Sequence, residues 1–225
     1  MTATPALPHH AGAPATWQRR RSIGAVAPSC ARPAPLDLSR PAVDVAPTLL
    51  GATLWHGPVG VVITEVEAYM GVEDPASHAH RGPTPRSRVM FGPPGHLYVY
   101  LSYGIHHCLN IVCSPSGTAS AVLVRAGRVV DGLEVARSRR GSGARPQPDA
   151  ALARGPGNLG RALGAELSDS GRRLTISEGP GDDWVLRPGR PHAPVAQGPR
   201  IGISRHVEAP WRFWIDGDPT VSHPR

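Results

Sequence analysis

Up to residue 35 the chain is rich in Ala and Pro and carries no apolar periodicity. Such a segment buries too little surface to offset the entropy of ordering, so residues 1–35 are expected to form a disordered tail. From Leu36 the texture changes, and residues 36–225 are expected to fold as one domain. Val45 to Trp55 places Leu49, Leu50 and Leu54 at helical spacing, which predicts an amphipathic helix with Pro47 near its start, packed on a sheet. Val59 to Val66 is β-branched and follows Gly57-Pro58, which predicts a strand that delivers Glu67, Ala68 and Tyr69 at its end. Met70 to Gly95 is punctuated by glycine and proline and reads as a long loop, a length that usually has a task.

Three strands are predicted next, Leu97 to Tyr103, His107 to Cys113 and Ala121 to Ala126. Turns at Gly104 and Ser116-Gly117 make them an antiparallel meander whose middle strand is buried on both faces. A helix from Gly132 to about Arg139, a polar linker to Pro148 and a second helix around Asn158 to Leu163 follow. Short strands at Arg200 to Ser204 and Trp211 to Ile215 end the chain. This order does not alternate regularly, so the fold class is α+β, and no internal repeat is present.

The 225 residues are 40% apolar, enough for a substantial core. A formal net charge of +7 suits a surface that displaces counterions from DNA. All 24 basic residues are Arg, and Ala, Gly and Pro are abundant, so a GC-rich coding sequence explains part of the same composition. Cys30, Cys108 and Cys113 are odd in number and form no C-x-x-C pair, which points to a reducing cytoplasm rather than a disulfide framework. The Arg19-Arg20-Arg21 run precedes an apolar stretch too short for an export signal, and no run reaches the ~20 apolar residues of a membrane span.

Chemistry concentrates in one region. The chain has four tyrosines, Tyr69, Tyr98, Tyr100 and Tyr103, all close in sequence. Tyr98 and Tyr100 share one face of a strand, whereas Tyr103 lies past a parity change beside Gly104. One such ring is ordinarily core packing; four beside a loop with Glu67, His78 and several arginines favour an aromatic pocket. Such a pocket suits an extruded nucleobase, since stacking contributes roughly 1–3 kcal/mol per base. It suits a cationic N-alkylated purine further, by about 0.5–2 kcal/mol of cation–π attraction. The cationic base is also a good leaving group, so a single carboxylate suffices.

Glu67 fits that role because it stands two residues before Tyr69 on one strand face, although Glu65 shares the face and parity alone does not separate them. Glu73 and Asp74 read as turn-forming or capping acids. With no Lys in the chain, direct attack by water is favoured over a Schiff-base route, which generally uses a lysine amine or a terminal amine. His78, His80, His96, His106 and His107 show no metal-ligand spacing. Arg86 and Arg88 lie in a Pro-stiffened loop and could clamp phosphate or simply be solvated. Gly155-Pro156-Gly157-Asn158 reads as a helix start, a place where backbone N–H groups can hold phosphate.

Taken in order, Glu67-Ala68-Tyr69, His78, Thr84-Pro85-Arg86, Met90-Phe91, Leu97-Tyr98-Val99-Tyr100, Tyr103-Gly104, Asn110 and Val124-Arg125-Ala126 resemble the alkyladenine (3-methyladenine) DNA glycosylase family, from about Leu36 to Ser222. The resemblance implies a curved, mainly antiparallel sheet packed by helices, with a protruding hairpin that enters the minor groove. It implies Glu67 as general base and Arg125 as the residue that helps hold the catalytic water. Tyr69, His78 and Tyr100 would sandwich the base, Asn110 would crowd the 2-amino group of normal guanine, and Tyr103 would fill the hole left by the extruded nucleotide. It implies no cofactor, no metal and no membrane, with double-stranded DNA containing damaged purines as partner. Lesions in the family are 3-methyladenine, 7-methylguanine and, for some members, hypoxanthine or ethenoadenine. The enzyme is expected to be a monomer of the cytoplasm, associated with the nucleoid. One departure is Asn158, where the family often carries Lys. The same residues would also serve a non-catalytic nucleic-acid-binding module or a hydrolase of free nucleosides.

Overall fold

The structure, a computed structural model, describes residues 35–141 and 147–222. The Ala/Pro-rich tail expected at the start lies outside the described residues but for Pro35, as does Cys30. Among the described residues the fold is α+β: a curled nine-stranded sheet with few helices. Its strands are β1 (Thr53–His56), β2 (Val59–Tyr69), β3 (Leu97–Ser102), β4 (His106–Cys113), β5 (Ser120–Asp131), β6 (Thr175–Ile176), β7 (Trp184–Arg187), β8 (Val195–Gly198) and β9 (Arg212–Ile215). The α-helices are α1 (Ala42–Val45), α2 (Leu133–Arg140) and α3 (Pro156–Leu163). Strand order is β3-β4-β5-β2-β1-β7-β6, and the one parallel contact among these neighbours is β6 with β7.

β2 is the axis of the sheet. One edge pairs with β5 over most of its length, while the other pairs first with β1 (Val59 to Val62) and then with β9 (Glu65 to Glu67). The end of β2 is thus held from both sides, by β5 through Tyr69 and by β9 through Glu67. The expected meander is present as β3-β4-β5, and β4 is buried from Cys108 onward.

α3 packs on β4 and β5. Leu159, Ala162 and Leu163 recur at i, i+3 and i+4 and are fully buried, Pro156 opens the first turn, and Gly164 closes the helix in the left-handed region. Gly160 lies on the packed side, where a Cβ would stand 2.0 Å from the His107 carbonyl oxygen, so only glycine permits this approach. Arg139 of α2 donates to the Ala162 and Leu163 carbonyls at the end of α3. A cation at a helix C-terminus also meets the negative end of the helix dipole.

Two expected elements differ. In place of a helix from Val45 to Trp55 there is a short α1, a 3-10 turn Ala46–Leu49, a bend at Gly51 (φ 83°) and strand β1. Leu49, Leu50 and Leu54 are all fully buried, so the apolar signal marked core correctly, but pairing of β1 with β2 and β7 overrode the helical spacing. Arg200 to Ser204 is a loop rather than a strand. Its Arg200 side chain turns inward onto Asp74, and Gly202 sits at φ 76°. Among the described residues no helix is long and apolar enough to cross a membrane.

Candidate active site

Alternation along β2 sends Glu65, Glu67 and Tyr69 to one face. On β5, Glu67 stands opposite Leu123 and Val66 opposite Val124, but Glu65 stands opposite Ala126. Arg125 is therefore the extra residue of a β-bulge, which aims its guanidinium between the two glutamates. Its Nε lies 3.1 Å from Glu65 Oε1 and its Nη1 3.2 Å from Glu67 Oε1.

The two carboxylates are both fully buried, yet their partners differ. Glu65 accepts from Arg125, from Arg212 Nε at 2.6 Å, and from the backbone N–H and hydroxyl of Ser222 at 2.7 and 2.9 Å. Those bonds occupy it structurally. Glu67 accepts from the Tyr69 hydroxyl at 2.9 Å and the Ile201 N–H at 2.7 Å, besides facing Arg125. Tyr69, Ile201 and Arg125 all line a cavity of about 620 Å³, so Glu67 lies directly beneath its wall. That volume is ordinary for a small-ligand site. Burial pushes the Glu67 carboxyl above its usual range, against the opposing pull of Arg125, the Ile201 amide and the Tyr69 hydroxyl, with Glu65 adding to the rise.

The cavity collects most of the side chains singled out from the sequence: Tyr69, His78, Arg86, Tyr98, Tyr100, Tyr103, Asn110 and Arg125. Tyr98 and Tyr100 stack at 5.6 Å, as their shared parity requires, and His78 meets the Tyr100 ring edgewise at 4.6 Å. His78 Nδ1 is 2.9 Å from the Tyr98 hydroxyl. Partial desolvation, reinforced by the Arg86 charge, lowers the His78 pKa to about 4, so the ring is neutral at physiological pH. Asn110 is buried and donates its amide to the Tyr98 carbonyl at 2.9 Å, which fixes its orientation.

Arg86 places its guanidinium 5.0 Å from the Tyr100 ring centroid, whereas Arg88, exposed on the 3-10 helix Arg88–Phe91, is outside the cavity lining. Tyr103 occupies the β3–β4 turn with 88% of its surface exposed. Tyr103 and Gly104 both have positive φ, 49° and 71°, and Ile105 donates its N–H to the Ser102 carbonyl. A non-glycine residue there is held at a cost of order 1–3 kcal/mol. Among the described residues no three His, Cys, Asp or Glu side chains cluster as a metal site.

Sequence reasoning did not find Ile201 or Arg200, which lie far from β2 in the chain. Ile201 acts through a backbone N–H, which leaves no side-chain signature. Asp74 does shape a turn, as expected, accepting from the Ala76 N–H, but it is also a fully buried partner of Arg200.

Residues 37–219 match the family described as methylpurine-DNA glycosylase. This chain belongs to the methylpurine-DNA glycosylase family. Among its relatives, a protein of Cutibacterium acnes is 61% identical over 194 residues, covering 84% of this chain and 99% of the relative. One of Frankia casuarinae is 56% identical over 198 residues, covering 83% and 90%. A third, of Corynebacterium glutamicum, is 55% identical over 191 residues, covering 85% and 97%. All three carry the name "Putative 3-methyladenine DNA glycosylase". For this methylpurine-DNA glycosylase family member the class of chemistry is hydrolysis of an N-glycosyl bond in DNA repair.

Proposed function

We propose that this enzyme excises N-alkylated purines, 3-methyladenine and 7-methylguanine foremost, from double-stranded DNA, acting as a monomer on a nucleotide extruded from the helix. Water adds through its oxygen to C1′ of the deoxyribose, the C1′–N bond breaks with its electron pair going to the cationic base, and Glu67 takes the water proton. The products are free base and an abasic site. The observation that carries this reading is the unequal use of two buried glutamates: Glu65 is consumed by Arg212 and Ser222, while every hydrogen-bond or ion-pair partner named for Glu67 lines the aromatic cavity. Glu67 has no exposed surface, so water is delivered to it at the wall formed by Tyr69, Arg125 and Ile201 when the base enters. Catalytic hydrogen bonds commonly tighten only in the complex.

Tyr69, His78 and Tyr100 sandwich the base, and the neutral His78 ring spares a cationic purine from one repulsive neighbour. Arg125 steadies the water, and Asn110, immobilised on Tyr98, limits what fits in the cavity. The strained, exposed Tyr103 suits a side chain that inserts into the duplex in place of the extruded nucleotide. Arg86 and Arg88 supply cationic contacts to the flanking phosphates. The deciding experiment incubates the protein with methylated duplex and with the matching free nucleosides, and identifies released bases by mass spectrometry. Release from duplex alone is expected. Release from nucleosides as well makes it a nucleoside hydrolase, and duplex binding without any release makes it a binding module; either result overturns the proposal.

A further inference from the structure

Arg200 and Asp74 form an ion pair whose side chains have no exposed surface, set behind the cavity. Arg200 donates through Nη1 and Nη2 to the two Asp74 oxygens, at 2.5 and 2.8 Å, and through Nη1 to the Ala68 carbonyl at 3.0 Å. Its guanidinium lies over two rings, 4.6 Å from the centroid of Tyr69 and 5.0 Å from that of Trp211. Asp74 in turn accepts from the Met70 and Ala76 amides, and His206 faces it at 3.6 Å. One cation thus ties together the end of β2, the loop leading to His78 and the segment entering β9. The residue after it, Ile201, is the one whose N–H reaches Glu67.

A buried ion pair contributes little to net stability, because desolvating both charges offsets their attraction; a hydrophobic replacement is often as stable. Its better-attested use is to fix one arrangement among several. We propose that the Asp74–Arg200 pair is a positioning device that holds the Ile201 N–H against the Glu67 carboxylate and the Tyr69 ring against the base site. This inference rests on Glu67 being the general base. The groups facing that carboxylate are Arg125 from β5, Tyr69 and Glu65 from β2, and the Ile201 amide. Loosening the pair withdraws the Ile201 donor and frees the Tyr69 ring that donates to the same carboxylate, while Arg125 and Glu65 stay in place. A hydrogen bond to a charged form favours that form, so losing it raises the proton affinity of Glu67.

The test is the pH dependence of single-turnover release of 7-methylguanine from duplex DNA by the full chain, for wild type, Arg200→Lys and Asp74→Asn. Lys keeps the charge but not the two-pronged geometry. Asn keeps an acceptor for the Ala76 amide and removes the ion pair. Both variants should move the acid limb up by about one pH unit, which is about a tenfold loss of rate below the limb. The double variant should move it little further than the larger single shift, as coupled partners do. An unmoved limb in a folded variant overturns the proposal even if the plateau rate falls. Should Arg200→Lys fail to fold, Asp74→Asn decides alone, and failure of both to fold assigns the pair to the fold and overturns the inference as well. Glu67→Gln separates the two levels: if it keeps wild-type release, the general-base reading fails, whereas its inactivity together with an unmoved limb defeats only the positioning role.

Discussion

Replacing Glu67 by Gln isolates one property of the side chain. Shape is conserved, and the Gln carbonyl oxygen can still accept from the Ile201 N–H, at 2.7 Å in the parent. The Tyr69 hydroxyl, 2.9 Å from Oε2, can rotate to accept from the amide that replaces that oxygen. Arg125 keeps Glu65 at 3.1 Å. The change therefore removes a negative charge and a proton acceptor while leaving packing and the cavity intact, so affinity for lesion-containing duplex should stay within a few-fold of wild type. A positioned general base contributes roughly 10²–10⁴ in rate. That corresponds to about 3–5 kcal/mol of barrier, at 1.36 kcal/mol per factor of ten.

The pH profile adds a second check with a definite sign. Burial raises the folded-state Glu67 carboxyl above its ordinary 4.5, and only the ionised form accepts a proton. Wild-type rate should be full above that raised value and fall as the pH drops through it, and the limb should vanish in Glu67→Gln. His78, with a pKa of about 4, contributes no limb near neutrality. Single-turnover base release at several pH values, alongside fluorescence-anisotropy binding, measures both quantities. A variant that releases 7-methylguanine within tenfold of wild type at pH 7 would refute the assignment.

Tyr103→Ala should leave thermal stability almost unchanged, within about 0.5 kcal/mol, because the ring is 88% exposed. It should weaken retention of lesion DNA about 5- to 150-fold, the equivalent of ~1–3 kcal/mol of base stacking, and a large drop in melting temperature would contradict this. Gly160→Ala should destabilise by about 1–3 kcal/mol, seen as a lower denaturant midpoint, since its new methyl would sit 2.0 Å from the His107 carbonyl oxygen. An unchanged midpoint would mean that α3 can shift away from β4 at no cost. Duplex affinity should fall with salt at a log–log slope of about −0.9 per neutralised phosphate, and a flat response would rule out a cationic footprint.

Local pattern alone located β2, the β3–β4–β5 meander and α3, because alternation, turn glycines and helix-end residues report the backbone within a few positions. The shared faces of Glu67 with Tyr69 and of Tyr98 with Tyr100 are legible for the same reason, since two-residue spacing on a strand fixes a common face. What the residues between 45 and 55 would become was not legible: an apolar run serves a helix or a buried strand equally, and pairing of Leu54 and its neighbours with β2 and β7 decided it. Nor could spacing choose between Glu65 and Glu67, which share residue type and face. Tertiary contacts give the two different surroundings, by bringing Ser222 from 157 residues away onto one carboxylate and Ile201 from 134 residues away onto the other, and by a bulge that sets Arg125 between them. A side chain's type is a local fact, but which of two identical carboxylates stands beside a cavity depends on which distant groups close around it.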